Sequence, residues 1–287
     1  MKILVTGYNG QLGYDVVQEG RKRGLHMIGS TIEDLDITDS NQINEYINNL
    51  KPDAVIHCAA YTAVDRAEED REKAWDVNVN GTKYLAEAVK AINAKFMYIS
   101  TDYVYEGNGD VPYTEDSKIF PQSYYGLTKY EGERVVQNLL TDSFIVRISW
   151  VFGINGNNFI KTMLRLGETH DELKVVADQI GSPTYTYDLS KLLIDMIQSQ
   201  KYGIYQATNE GFCSWADFAE KIFDVAGYSV KVKGITSEEY PTLAVRPKNS
   251  RMSKEKLRAN GFEPLPHWEH ALAHYVNELK QEVQNDK

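Results

Sequence analysis

The sequence is poor in cysteine. Cys58 and Cys213 are the two in 287 residues, and they stand in neither CxxC nor any other metal-ligand spacing, which removes a disulfide framework and a thiolate metal site. Both read as small core residues in a reducing compartment. Basic residues are also short: 31 Lys and Arg against 41 Asp and Glu leave a formal net charge of −10, so the basic face that nucleic-acid binding needs is not expected. A small anionic ligand is not barred by that deficit, because a few local cations or backbone N–H groups suffice to hold it. No apolar run is long enough to span a bilayer and no tract is of low complexity. The first residues, Met1 to Val5, lack the apolar core and small-residue cleavage site of a signal peptide. A cytoplasmic protein with no membrane role is expected. What is left, 42% hydrophobic and 25% charged residues, is an ordinary globular composition, long enough for a large domain with a smaller one.

Residues Lys2 to Thr6 form an apolar, β-rich run, followed by Gly7-Tyr8-Asn9-Gly10-Gln11-Leu12-Gly13 and a helical pattern from Tyr14 to Arg23. Strand, glycine turn and helix is the context in which a dinucleotide is bound: Gly7 allows the sharp turn, Gly10 lets backbone approach a pyrophosphate, and Gly13 lets the helix pack on the sheet. A second strand, about Leu25 to Gly29, should end at Ser30-Thr31, where such folds read the adenosine ribose. Neither an acid nor an arginine stands there, so NADH and NADPH both remain open. Asp36 and Ile37 sit in the next turn, within reach of adenine, and Thr38 or Asp39 can cap the helix that follows. Asp53 to Ala60 reads as a strand running into small residues, which makes Ala59, Ala60 and Thr62 candidate cofactor contacts. His57 reads as a core histidine. Ala67 to Ala94 is expected as one helix, with Asn78 and Asn80 inside it.

Lys95 to Ser100 is a further strand, and Ser100-Thr101-Asp102-Tyr103-Val104-Tyr105 leaves its carboxyl end, where open α/β sheets bind ligands. Thr101 is placed to hydrogen-bond a substrate oxygen. After a Gly- and Pro-bearing loop, Ser123 can cap a helix carrying Tyr125-Gly126-Leu127-Thr128-Lys129. Tyr125 and Lys129 then share one helical face, and a nearby ammonium is expected to lower the proton affinity of the phenol and make it a usable acid. Trp150, after a strand from Ser143 to Ser149, offers an apolar wall. Arg246-Pro247-Lys248-Asn249-Ser250-Arg251 is the densest basic cluster in an acidic chain. Lys254 to Arg258 and His267 to Val283 read as surface helices.

With these residues in place the chain resembles the extended short-chain dehydrogenase/reductases and, within them, the branch that reduces dTDP-linked 4-keto-6-deoxy sugars. The resemblance runs nearly end to end, through Gly10-Gln11-Leu12-Gly13, Ala59-Ala60-Tyr61-Thr62-Ala63-Val64-Asp65-Arg66-Ala67-Glu68, the Ser100 to Tyr105 and Tyr125 to Lys129 runs, Asn158-Phe159-Ile160-Lys161-Thr162-Met163, Asp178-Gln179-Ile180-Gly181-Ser182-Pro183-Thr184 and the 246–251 cluster. It implies an α/β fold, a Rossmann-type doubly wound parallel sheet with a smaller C-terminal substrate-binding domain. Residues 1–150 plus about 184–209 would bind NADPH or NADH, and about 151–183 plus 210–287 the sugar nucleotide. Tyr125 is implied as proton donor, Lys129 as its charge partner and ribose anchor, and Thr101 as the hydroxyl completing the group. Gly7, Gly10, Gln11, Leu12, Ser30, Asp36, Ile37, Ala59, Ala60 and Thr62 are the expected cofactor contacts. Thr101, Asp102 and Trp150 would meet the deoxysugar, and Arg246, Arg251 or both the diphosphate, to which Arg is suited.

The related dehydratases carry Thr-Asp-Glu where this chain has Thr101-Asp102-Tyr103, which favours net reduction over elimination. A 4-epimerase would turn over without consuming reductant. A reading of another class is an NADP-binding regulatory subunit of methionine adenosyltransferase. Some reductases of this group use Mg2+ at a dimer contact, which leaves a homodimer open, but no metal-ligand spacing is visible here and Asp15 and Asp188 read as surface acids.

Overall fold

A computed structural model describes residues 1–285. Its architecture follows from the two-residue period of its first strand, β1 (Lys2–Thr6). Ile3 and Val5 join one apolar cluster with Val16, Val17, Leu189 and Leu193, while Leu4 joins another with Ile43, Ile47, Leu85 and Val89. Both faces of the strand are therefore covered. The same alternation in β2 (His26–Ser30), β3 (Ala54–His57), β4 (Lys95–Thr101) and β5 (Ser143–Ile148) gives one sheet with helices on each side. A sixth strand, Gly203–Gln206, lies on the outside of β5, and the order is Gly203–Gln206, β5, β4, β3, β1, β2 with every pairing parallel. Its register aligns Leu4 with Val55 and Val55 with Phe96, which brings the carboxyl ends of β1, β3 and β4 to one edge.

Helix α1 (Gln11–Lys22) packs with helix Thr186–Gln198 on one face, and α2 (Ser40–Leu50), α5 (Thr82–Ala91) and α6 (Tyr124–Leu139) cover the other. Asp39 caps α2 by accepting from the N–H groups of Asn41 and Gln42, and Ser123 caps α6 through the N–H of Gly126 at 3.1 Å. A second, aromatic-rich core contains Phe152, Ile160, Tyr185, Phe218, Phe223, Trp268, Leu272 and Tyr275. Among the described residues no helix is long and apolar enough to cross a membrane.

Three expectations are corrected. Residues 67–94 are not one helix: α3 (Val64–Ala67) and α4 (Arg71–Trp75) are followed by a π-helical turn, Asp76–Gly81, before α5. The cause is Asn78, whose amide accepts from the Tyr61 N–H at 2.8 Å and donates to the Tyr61 carbonyl at 3.1 Å and the Thr128 hydroxyl at 2.9 Å. Widening the helix by one residue points that amide inward. Asp15 is buried and accepts from the Thr186 hydroxyl, with burial pushing its carboxyl up to about 6. Asp188 is largely covered and accepts from Asn209 Nδ2 at 3.1 Å, so neither is a free surface acid. Lys254 is 3% exposed, with Nζ 4.9 Å from the Phe212 ring centre. The N–H of Ser253, bonded to the Tyr113 carbonyl at 2.8 Å, draws that segment inward.

Candidate active site

A cavity of about 990 Å³ opens at the carboxyl ends of β1, β3 and β4. Its floor is the turn from β1 into α1. Gly7 has a φ of 71°, and a Cβ there would lie 2.7 Å from the Ala59 nitrogen, so the left-handed turn and the approach of β3 both require glycine. Gly10 is the N-cap of α1 and gives that helix no side-chain acceptor. The first-turn N–H groups are thus left to an outside anion, which fits a dinucleotide pyrophosphate. Gly7, Gly10, Gln11 and Leu12 line the cavity, as do Asp36 and Ile37 further along and Ala59, Ala60 and Thr62 beyond β3. Ser30 is buried behind this wall with its hydroxyl unpartnered, and Thr31 takes the wall position.

Gln11 has a second task that its motif did not disclose. Its Oε1 accepts from the Gly153 N–H at 2.9 Å and from Asn158 Nδ2 at 3.1 Å. Asn155 Nδ2 in turn donates to the carbonyls of Asn9 at 2.9 Å and Gly10 at 3.2 Å. The segment after β5 is fastened onto the glycine turn by these bonds.

At the other end lie Thr101, Asp102, Tyr125, Lys129 and Trp150, all on the same wall. Thr101 ends β4, and its Oγ donates to Asp102 Oδ1 at 3.0 Å and accepts from the Tyr103 N–H at 3.3 Å. It also hydrogen-bonds Tyr125. Helix α6 can approach because Gly126 lies against the Tyr103 carbonyl, where any side chain would collide. Glu68 fixes the start of that helix by accepting from the Tyr124 N–H at 2.7 Å, and Asn78 holds Thr128 between Tyr125 and Lys129. Trp150 adopts a left-handed φ of 49° and stacks on Trp215 with ring centres 3.7 Å apart, a conformation rare outside glycine and held here by the stack.

Burial sets the charges. The Tyr125 phenol has its proton affinity raised, first by burial and then by the charge of Asp102. Lys129 is pushed down to about 7 by burial, against the pull of Glu133, and its Nζ stands 4.1 Å from the centre of the Tyr98 ring. The expected lowering of Tyr125 by Lys129 is therefore not met: desolvation raises the phenol, and the groups that act on it besides are Asp102, Thr101 and Tyr103. Burial likewise raises Asp102 to about 6, countered by the hydrogen bonds from Ser250 and Thr101. His57 accepts or donates between the Thr6 and Thr82 hydroxyls at 2.7 and 3.2 Å and is pushed down to about 3 by burial and Lys129, which makes it a neutral core group.

The basic cluster lies off the cavity wall. Arg246 Nη2 pairs with Asp65 at 2.6 Å and its Nη1 donates to the Tyr103 hydroxyl at 3.4 Å, while Arg251 Nη1 donates to Asn249 Oδ1 at 3.0 Å. Ser250 makes the contact from this cluster to the cavity wall, donating to Asp102 Oδ2 at 2.5 Å. Ser250, Asp65 and Glu68 stand in runs that carry the resemblance but were given no role in the sequence, and Asn78 was noted there only as lying inside a helix. The low helix propensity of Asn78 in a helical run was the one signal available.

A glycine turn feeding an uncapped helix, and a buried Thr, Tyr and Lys group across one cavity from it, define an extended short-chain dehydrogenase/reductase. Comparison with known proteins places the chain more narrowly: it belongs to the family described as the RmlD substrate binding domain, which it matches over residues 1–281. It is 43% identical over 288 residues to dTDP-4-dehydrorhamnose reductase of Aggregatibacter actinomycetemcomitans, covering 94% of this chain and 97% of the relative. A dTDP-4-dehydrorhamnose reductase structure from Clostridium acetobutylicum superposes with a TM-score of 0.96 at 44% identity, covering 98% of this chain and 100% of that one. One from Bacillus anthracis in complex with NADP gives a TM-score of 0.94 at 42% identity, covering 97% and 100%.

Proposed function

We propose that this chain reduces the C4 keto group of dTDP-4-dehydro-β-L-rhamnose to dTDP-L-rhamnose, using NADPH or NADH. The carrying observation is the buried Tyr125, hydrogen-bonded to Thr101 and with raised proton affinity, on the cavity that the glycine turn also lines. Its relatives' names supply the substrate. When bound, the reduced nicotinamide supplies the hydride that C4 receives. Tyr125 arrives protonated at neutral pH and gives its proton to the oxygen at C4 as charge develops there. Thr101 orients the phenol and, when its hydroxyl proton turns from Asp102 Oδ1, 3.0 Å away, to the oxygen at C4, holds that oxygen too. Lys129 stands one turn from Tyr125, where its charged form stabilises the phenolate left behind. Trp150 offers its face to the sugar ring. Residues 1–150 plus about 184–209 serve the cofactor and the remainder the sugar nucleotide, with Arg246 exchanging Asp65 for a diphosphate oxygen, or Arg251 meeting it.

The test is to supply the keto-sugar nucleotide with NADPH or NADH and follow absorbance of the reduced cofactor. Stoichiometric consumption supports reduction. Turnover without consumption would mean a 4-epimerase, and absence of turnover with intact cofactor binding a nucleotide-binding subunit. For the diphosphate contact, Arg246→Ala should weaken dTDP binding and leave NADPH binding unchanged.

A further inference from the structure

On the reading that this cavity reduces a keto sugar with a proton from Tyr125, we propose that Ser250 is a positioning residue for that transfer: its hydroxyl holds the Asp102 carboxylate in the orientation that presents Thr101 to Tyr125. Ser250 and Asp102 are 2% and 3% exposed. Both carboxylate oxygens are engaged, Oδ2 by the Ser250 hydroxyl at 2.5 Å and Oδ1 by that of Thr101 at 3.0 Å. An ionised carboxylate only accepts, so a donor on each oxygen fixes its plane. Thr101 bonds Tyr125 in turn. The proton donor is thereby tied, through Thr101 and Asp102, to a strand from the far end of the sequence.

What places Ser250 is a small sheet. Its strand, Asn249–Ser250, pairs parallel with Ile180–Gly181, which pairs antiparallel with Cys213–Ser214. Gly181 is pressed between Ser250 and Trp150: a Cβ there would lie 2.9 Å from the Ser250 Cβ and 2.9 Å from the Trp150 ring. The wall offered to the sugar ring and the hydroxyl on Asp102 therefore stand on one scaffold. Asn249 pins its other side, with its N–H on the Gly107 carbonyl at 2.8 Å and Nδ2 on the Val111 carbonyl at 2.9 Å. Ser250 does not line the cavity, whereas Thr101, Asp102, Tyr125 and Trp150 do, so it acts through Asp102 and not on a ligand. The cations beside it in sequence are committed elsewhere: Arg246 to Asp65 at 2.6 Å, Lys248 to Asp178 at 3.3 Å and Arg251 to Asn249 at 3.0 Å. The Tyr103 and Tyr125 phenols feel the charge of Asp102, and neither offers a cation. With the Ser250 hydroxyl gone, one buried carboxylate oxygen loses its donor. The carboxylate is then free to turn, and Thr101 and the phenol turn with it.

The full chain is assayed with the keto-sugar nucleotide and reduced cofactor. Ser250→Ala should lower kcat roughly 10- to 100-fold, the cost of a small misplacement of reacting groups, and leave both KM values within about twofold, because Ser250 touches neither ligand. In an Asp102→Ala background the same change should move kcat by less than about twofold, since no carboxylate remains to be held. Ser250→Cys, which keeps the shape of the side chain and offers a weaker donor, should fall between the serine and alanine proteins, and it carries the test where alanine destabilises the fold. Full kcat in Ser250→Ala, or in Ser250→Cys where alanine does not fold, overturns the inference. So does a loss carried by KM alone, or an equal loss with and without the Asp102 carboxylate. Absence of turnover by the unaltered protein overturns the reduction reading and this inference with it, a result distinct from full turnover by a Ser250 variant.

Discussion

Lys129 and Glu133 lie one turn apart on α6, both buried, and their surroundings treat them in opposite ways. Glu133 receives both forks of Arg147, at 2.6 and 2.9 Å, and Arg147 goes on to the Tyr105 hydroxyl at 2.7 Å and the Glu115 carbonyl at 3.2 Å. Arg147 is held more firmly protonated as a result. Lys129 has an aromatic face above which to sit and is driven toward neutrality. One pair is balanced and the other is poised. Buried charge that is fully paired fixes α6 against the sheet; buried charge left short of partners keeps its proton exchangeable, which catalysis needs.

The contrast can be broken at either end. Tyr125→Phe should reduce kcat by roughly 10²- to 10⁴-fold, the contribution of a general acid, while thermal unfolding and cofactor affinity stay near those of the unaltered protein. A parallel loss of folding would show that the poised group is structural. Glu133→Gln should do the reverse, costing about 3–5 kcal/mol in urea unfolding by stranding Arg147. Replacing the pair together, Glu133→Leu with Arg147→Met, should recover most of that loss. If it does not, the network of Tyr105 and Glu115 matters more than the ion pair.

Asp15 sharpens the comparison on the other face of the sheet. Its carboxyl rises from 3.8 to about 6 on burial, so between about pH 4 and 6 the native state keeps a proton that the unfolded chain has released. Stability should fall as pH rises through that window. Asp15→Asn, which still accepts from Thr186, should flatten the dependence and gain about 2 kcal/mol at pH 7, measured by melts at pH 4.5 and 7. The smallest effect is that of the cap: Ser123→Ala should cost about 1 kcal/mol, with kcat falling if the first turn of α6 frays around Tyr125.

The legible parts of the site are those whose chemistry is local. The glycine turn, the Thr101-Asp102 strand end and the Tyr125 to Lys129 helix each lie within a few residues, and helix and strand periods place them without further information. The illegible parts join distant positions. Ser250 reaches Asp102 and Arg246 reaches Asp65 from the far end of the sequence, and no periodicity encodes such a meeting. Asp15 and Lys254 were misplaced for a related reason, since a charged residue reads as exposed until its partners or covering rings are known.

The strand Gly203–Gln206 pairs with the outer side of β5, aligning Ile204 with Ile145, yet it is made only after the chain has left the sheet and laid down the first part of the aromatic core, Phe152, Ile160 and Tyr185. During synthesis β5 therefore waits with a bare edge until Gly203 and its neighbours emerge, and a gene fragment ending at Trp150 keeps that edge open permanently. An unpaired apolar strand of this kind recruits other chains, so the amino-terminal half expressed alone should aggregate.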